Sequence, residues 1–148
     1  MALEKTLAKT KQKAQPRPNH PPTLKYRLAH YRPTHTKRQG ELAELAFLCD
    51  ASHQGFDLSK PYGDNKRYDF LVDNGHTIHR LQVKSSARQT SPGRYQVNAG
   101  RRLTLRAVPY TKSEIDFLAI YIRPEKLWFI LPYKAFRGQV TLILYSPT

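Results

Sequence analysis

The sequence predicts an α/β fold in which one helix packs against a mixed, mostly antiparallel sheet. A single stretch, from Thr36 to His53, carries apolar residues at helical spacing, and short apolar runs separated by turn residues follow it. The 148 residues are enough for one domain with its own core. We expect that domain to cover residues 36–148, preceded by a basic, proline-rich and mostly extended arm over residues 1–35.

The predicted helix covers Thr36–His53 and ends before Gly55. Its apolar residues recur at spacings of three and four, at Leu42, Leu45, Ala46 and Cys49. Residues with this spacing lie on one face of a helix. We therefore expect this face to pack against the sheet, with Cys49 as a core residue and not as a nucleophile.

The first predicted strands follow directly. A short strand is expected around Asp57–Lys60, and the composition of residues 62–65 is typical of a loop. Two further strands, Tyr68–Asp73 and His76–Ser85, are joined by Asn74-Gly75, which is the strongest signal for a two-residue hairpin turn. The sequence thus predicts an antiparallel pair in the middle of the chain.

The second half of the chain is less regular. Residues 87–112 are expected to be mainly loop, because proline and glycine interrupt any long element there. A second hairpin is predicted from Ile115–Ile122 and Leu127–Leu131, and a last strand from Val140–Tyr145 after a short turn near Tyr133–Arg137.

The charge of the chain favours a polyanion as its partner. There are 25 lysines and arginines against 11 acidic residues, which gives a formal net charge of +14. Residues 1–40 hold ten of the basic residues and one acid, so a net +9 lies in that segment. Basic side chains bind nucleic acids by neutralising phosphates and releasing counterions.

Two other features bear on location. The longest apolar runs, such as Phe117–Ile122, are far too short to span a bilayer, which excludes a membrane protein. The single cysteine cannot form an internal disulfide, and the first residues lack the apolar stretch of a secretory signal. We therefore expect a protein of the reducing cytoplasm.

A small group of polar residues is predicted to meet on the first hairpin. Asp69 begins its first strand, and Gln82 and Lys84 share one face of its second strand. On the helix, Glu41 and Glu44 are three residues apart and lie on adjacent positions of one face. Carboxylate and amide oxygens suit Mg²⁺, and a lysine stabilises developing negative charge, so this group contains the parts that phosphodiester hydrolysis requires.

These residues resemble the signature of the PD-(D/E)XK nucleases, in which an aspartate and a (D/E/Q)-x-K tripeptide lie on adjacent strands after a helix glutamate. Here the matching segments are Gly40-Glu-Leu-Ala-Glu44, Tyr68-Asp69 and Gln82-Val-Lys84-Ser85, in the same order. The usual proline before the aspartate is Tyr68 in this chain. Residues 40–86 together with 115–132 are similar to the branch associated with group I introns, which carries glutamine in the tripeptide and includes homing endonucleases.

The resemblance implies a restriction-endonuclease-like core and a Mg²⁺-dependent DNA endonuclease, with Mn²⁺ as a substitute and 5′-phosphate and 3′-hydroxyl products. It assigns Asp69 as the main metal ligand, and Gln82 as a residue that provides a ligand through its side chain or a neighbouring carbonyl. Lys84 would orient the water or stabilise the phosphorane-like charge. Glu44, four residues after Gly40, matches the helix glutamate as a catalytic and metal-site residue, with Glu41 as the alternative.

DNA contacts are expected from the arm and from basic residues of the domain. The candidates in the domain are Lys37, Arg38, Lys66, Arg67, Arg88, Arg94, Arg101 and Arg102. One site cuts one strand, so double-strand cleavage requires a homo-oligomer, either a dimer or a tetramer. Phe117, Trp128 and Phe129 are candidates for its interface, and Tyr121 and Trp128 are expected in the core or an interface.

A second class of protein fits the same charge, namely a non-catalytic nucleic-acid-binding protein on a nuclease-like fold. Net charge supports both hypotheses equally. The combination of Asp69, Gln82 and Lys84 supports only the nuclease.

Overall fold

The structure is a computed structural model that describes residues 36–147. The predicted arm over residues 1–35 lies outside the described residues. The elements are α1 Thr36–His53, β1 Asp57–Ser59, β2 Phe70–Asp73, β3 Ile78–Ser86, β4 Gln89–Ser91, β5 Arg94–Asn98, β6 Arg101–Leu103, β7 Arg106–Val108, β8 Phe117–Ile122, β9 Leu127–Pro132, α2 Tyr133–Phe136 and β10 Thr141–Tyr145. The predicted bounds of the first helix are confirmed.

A five-stranded sheet in the order β1-β2-β3-β8-β9 forms the middle of the fold. Strands β3 and β8 run parallel, with Lys84 opposite Ile120, and the other pairings are antiparallel. The Asp116 carboxylate secures the start of the parallel pair, because its Oδ2 accepts hydrogen bonds from the Arg80 backbone N at 2.9 Å and from Nε at 3.0 Å. The predicted mixed sheet is confirmed.

Helix α1 covers one face of this sheet with a different side from the one predicted. Its buried residues are Ala43, Phe47 and Ala51, whereas Leu45 is 57% exposed and Cys49 is exposed as well. The prediction of a packed face through Leu42, Leu45, Ala46 and Cys49 was therefore wrong. The Phe47 ring sets the rotation of the helix, since its centroid lies 5.5 Å from those of both Phe70 and Trp128. The small alanines one turn away on either side allow this close approach.

The opposite face of the sheet packs against a second layer. Tyr95 and Val97 of β5 and Leu142 of β10 form a buried cluster with Leu118 and Ile120 of β8. Strands β10, β5 and β4 form a three-stranded sheet in that order. Successive side chains of β8 point to opposite faces of the sheet, so this strand packs against both α1 and the second layer.

The segment 87–112 is not mainly loop, which corrects the sequence-based expectation. It contains β4 and β5 and the separate hairpin of β6 and β7. The glycines and prolines lie at the ends of these short strands; Gly93 has φ +69° in the turn between β4 and β5. Gly100 allows close packing, because a Cβ there would lie 2.9 Å from the Val108 carbonyl oxygen.

The first predicted hairpin is confirmed, with a longer turn than expected. Strands β2 and β3 pair antiparallel, and the last pair is Asp73 with Ile78, so four residues connect the strands instead of two. The Asn74 side chain closes this turn, because its Oδ1 accepts hydrogen bonds from the backbone N of His76 at 2.9 Å and of Thr77 at 2.8 Å.

The later strands are present with slightly different bounds. Strands β8 and β9 form the second hairpin, with β8 beginning at Phe117 instead of Ile115 and β9 ending at Pro132 instead of Leu131. Strand β10 is the expected last strand, beginning at Thr141 instead of Val140. A short helix, α2, replaces the predicted turn near Tyr133–Arg137. Between residues 36 and 147, no helix is long and apolar enough to cross a membrane.

Candidate active site

Asp69 is held firmly against β3, as the hairpin predicts. Its backbone N donates to the Leu81 carbonyl oxygen at 2.9 Å. Its carboxylate Oδ2 accepts two hydrogen bonds, from Gln82 Nε2 at 2.6 Å and from the Val83 backbone N at 2.8 Å. Both bonds use the same oxygen, so Oδ1 remains without a hydrogen-bond partner among residues 36–147 and is available to a ligand.

The surroundings of Asp69 disfavour its charged form. Burial, together with the nearby Glu44 carboxylate, raises the pKa of Asp69 to about 6. The Val83 N–H and the ammonium groups of Lys84 and Lys60 act in the opposite direction and lower it. A carboxyl group with a pKa this close to neutrality gains strongly from a nearby cation, which is typical of functional sites.

Lys84 lies on the same face of β3 as Gln82, as predicted from the alternation of side chains. Burial lowers the pKa of Lys84, and the charge of Asp69 partly offsets this. The ammonium group lies 5.6 Å from the centre of the Tyr110 ring, and Tyr110 is only 5% exposed. A rigid aromatic face therefore supports the cation beside the aspartate.

The two helix glutamates have different surroundings. Glu44 Oε2 accepts a hydrogen bond from Lys60 Nζ at 2.5 Å, and its side chain is 26% exposed. Glu41 Oε2 lies 3.5 Å from Arg38 Nη1 on the exposed part of the helix, with 46% of the side chain accessible. Of the two, Glu44 is the one whose charge acts on Asp69.

The donor atoms at this site suit a hard divalent cation. Asp69 provides a free carboxylate oxygen, Gln82 an amide oxygen and Glu44 a second carboxylate, and oxygen ligands of this kind bind Mg²⁺. In the described part of the chain, no three acidic, histidine or cysteine side chains gather into a metal-binding group. A cation here would thus depend on amide, backbone or water oxygens to complete its ligands.

The comparisons with known proteins agree with this geometry. The family model for the PD-(D/E)XK endonuclease matches residues 34–146, which is most of the chain. The chain belongs to the PD-(D/E)XK endonuclease family. Its structure is similar to that of a bacterial homing endonuclease, I-Ssp6803I, with a TM-score of 0.67 and 29% sequence identity over 76% of this chain and 79% of that one. No curated protein sequence matches the chain.

Family membership confirms the PD-(D/E)XK resemblance and the restriction-endonuclease-like fold class. Within that fold, α1 carries Glu44 and β3 carries Gln82 and Lys84, as predicted. Asp69 directly precedes β2, which begins at Phe70 and not at the predicted Tyr68. The structure joins Asp69 and Gln82 by a hydrogen bond, and the charges of Lys84 and Glu44 both act on Asp69. Glu44 also has a direct contact with a lysine that was not predicted, Lys60.

Most of the predicted DNA-binding residues are accessible in this PD-(D/E)XK domain. The exposed ones are Lys37, Arg38, Lys66, Arg67, Arg88, Arg94 and Arg102. Arg101 differs, because its side chain is only 19% exposed and its Nε lies 2.9 Å from Glu114 Oε1. Arg67 Nε lies 4.0 Å from the same carboxylate oxygen. Glu114 is thus close to two of the predicted DNA-binding arginines, in the vicinity of Tyr110.

The three candidate interface aromatics do not lie on one surface. Phe117 and Trp128 belong to the cluster under α1, whereas Phe129 packs into the cluster on the other face of the sheet. Trp128 stacks on Tyr121 with a centroid distance of 4.6 Å, and its Nε1 donates to Asp50 Oδ2 at 3.0 Å. Phe117 and Trp128 also line an apolar groove of about 360 Å³ beside the helix.

Sequence analysis did not identify two residues at the site. Tyr110, within the segment expected to be loop, supports Lys84, and Lys60 holds Glu44. The only signal for Tyr110 was a single aromatic residue after a proline in a basic segment. Lys60 was one exposed lysine among many, and its role depends on where β1 places it.

Proposed function

We propose that this PD-(D/E)XK protein is a cytoplasmic, Mg²⁺-dependent DNA endonuclease that hydrolyses phosphodiester bonds, with Mn²⁺ able to replace Mg²⁺. Its catalytic residues are Glu44, Asp69, Gln82 and Lys84. The observation that supports the proposal is the contact of Gln82 Nε2 and Val83 N with one oxygen of Asp69, which leaves the other oxygen without a partner among residues 36–147. The half-buried Lys84 interacts electrostatically with the same carboxylate.

Each residue has a distinct role in this proposal. Asp69 Oδ1, the amide oxygen of Gln82 and the Glu44 carboxylate would hold the cation. When bound, the cation acts as a Lewis acid on the phosphate and on water. Lys84 places a positive charge where negative charge develops on the phosphate, and the Tyr110 ring keeps the ammonium in position.

The homing endonuclease I-Ssp6803I is the basis for a narrower proposal. The similarity to it supports a homing-endonuclease-like enzyme, and we propose that this enzyme cuts both strands of DNA. One chain carries one site, so two strands require at least two copies. The groove beside Trp128 continues to the edge strand β9, where Ile130 is 48% exposed, and this apolar surface suits contact with a second copy.

Incubation with supercoiled plasmid and with branched DNA tests the activity. The wild-type protein should nick or linearise DNA with Mg²⁺ or Mn²⁺ and not with EDTA. Asp69→Ala and Lys84→Ala should abolish cleavage, whereas the matched surface variants Asp57→Ala and Lys134→Ala should cut normally. Binding of DNA without any cleavage by the wild-type protein would overturn the proposal in favour of a non-catalytic binder.

Sedimentation with and without a DNA duplex tests the assembly. A dimer or tetramer should form, and Ile130→Glu should weaken it while the monomer stays folded. A monomeric protein that makes double-strand breaks would contradict the oligomer.

A further inference from the structure

The ion pair between Lys60 and Glu44 is a contact within the site that the predicted roles do not use. Lys60 follows β1 directly, and its Nζ lies 2.5 Å from Glu44 Oε2, sixteen residues away along the chain. In the described residues, Glu44 thus already has a cationic partner on one of its oxygens.

The Lys60 ammonium group also lies close to the start of β2. Its distance to the centre of the Phe70 ring is 5.5 Å, and Phe70 directly follows Asp69. Phe70 is 1% exposed and packs under α1, so the ring is a fixed reference point. The ammonium group therefore contacts the helix glutamate, and its charge also interacts with Asp69 and Glu41.

A divalent cation held by Glu44 and Asp69, as proposed, would lie close to this ammonium group. The ammonium group offsets part of the negative charge of the Glu44 carboxylate, so Glu44 attracts a cation less strongly while Lys60 is in contact with it. Moreover, an ammonium group beside a dication is repelled by it. The Lys60 side chain is 57% exposed, so it can leave Glu44 for solvent and lose only its ion pair and its contact with the Phe70 ring.

We propose that Lys60 is the counter-ion of Glu44 in the metal-free protein and competes with the divalent cation for that carboxylate. Lys60 is thus a positioning residue that sets the metal concentration at which the site fills. This inference rests on the proposed function, because it assumes that Glu44 takes part in metal binding.

Calorimetric titration of the metal-free protein with Mn²⁺, in the absence of DNA, tests the proposal without any reading of activity. Lys60→Ala should bind Mn²⁺ about two- to tenfold more tightly than the wild type, since an exposed ion pair and a like-charge repulsion are removed. Lys60→Arg should keep the wild-type affinity. Lys134→Ala removes the same charge from an exposed position on α2 and should leave the affinity unchanged.

A double-mutant cycle separates competition at Glu44 from a general effect of charge. In a Glu44→Gln background, Lys60→Ala should tighten Mn²⁺ binding less than it does in the otherwise wild-type protein, because only the like-charge repulsion is then removed. Equal or weaker binding by Lys60→Ala in the otherwise wild-type protein would overturn the role of Lys60 alone. Complete absence of Mn²⁺ binding by the wild type would overturn both this inference and the metal dependence in the proposed function.

Discussion

The Asp69 carboxylate is fixed by the backbone of Val83, whose N–H donates to Oδ2 at 2.8 Å. A backbone donor in the centre of a sheet cannot rotate away, so the position of the carboxylate depends on strand pairing more than on side-chain packing. Gln82 adds a second donor to the same oxygen. Oδ1, the oxygen that we propose binds the cation, is therefore oriented before any ligand arrives.

Asp69→Asn should stabilise the metal-free protein at high pH. Burial raises the pKa of Asp69 to about 6, above the value near 3.9 of an unfolded aspartate. The folded protein thus holds its proton more tightly, and stability falls as the pH rises from about 4 to about 6. Above that range the neutral amide should be more stable by about 1–3 kcal/mol, and most of this gain should disappear near pH 4.

Thermal melts at pH 8 and pH 4, with EDTA present, measure this difference. Asp57→Asn, at an exposed position of β1, is the matched control and should show no such dependence. A gain for Asp69→Asn that is the same at both pH values would contradict the assigned pKa.

Phe47→Ala should strongly destabilise the domain. The ring contacts Phe70 and Trp128 under the helix, and loss of a buried phenylalanine typically costs about 3–5 kcal/mol. Leu45→Ala, on the same helix but 57% exposed, should cost less than about 1 kcal/mol. Chemical denaturation of both variants measures the contrast, and a larger loss for Leu45→Ala would show that the helix packs through its other face.

Tyr110→Leu should slow DNA cleavage. It removes the aromatic face that lies 5.6 Å from Lys84 Nζ, and a cation–π contact in a partly buried place is worth about 1 kcal/mol, or roughly fivefold in rate. Tyr110→Phe keeps the ring and should stay within about twofold of the wild type. Single-turnover cleavage rates of the two variants measure this difference. An equal loss of rate in both variants would assign the effect to the hydroxyl group and not to the ring.

Deletion of residues 1–33 should weaken DNA binding and flatten its salt dependence. The segment contains eight of the 25 lysines and arginines, and each phosphate contact contributes nearly one unit to the slope of log affinity against log salt. Fluorescence anisotropy over a range of salt concentrations gives the slope for the shortened and full chains. An identical slope would show that this segment makes no phosphate contacts.

Local sequence patterns predicted the parts of the fold that depend on near neighbours. The bounds of α1 and the antiparallel pairing of β2 with β3 followed from periodicity and from Asn74-Gly75. The buried face of α1 could not be predicted in this way, because both candidate faces are similarly apolar. Which face is buried depends on the contacts of the Phe47 ring with residues far along the chain. The turn length was missed for a related reason, since the Asn74 side chain, and not the dipeptide alone, closes the loop.

The residues of the candidate site also fall into two groups, those that near neighbours position and those that distant parts of the chain position. Asp69, Gln82 and Lys84 lie on one hairpin, so strand alternation was enough to bring them together. Lys60 and Tyr110 come from outside that hairpin, and their positions depend on an edge strand and on the second layer of the fold. No period or motif in the sequence relates them to the hairpin.

Because β3 pairs in parallel with β8, which follows it by about thirty residues, we expect the β2–β3 hairpin to form before the five-stranded sheet is complete. During synthesis, the hairpin bearing Asp69 and Lys84 leaves the ribosome well before the strand that completes its sheet. Parallel pairing over such a separation in sequence is a slow event in folding, because a long loop must close first. A chain stopped before Phe117 has every residue of the signature and lacks the centre of its core, so a working site becomes possible only after β8 is in place.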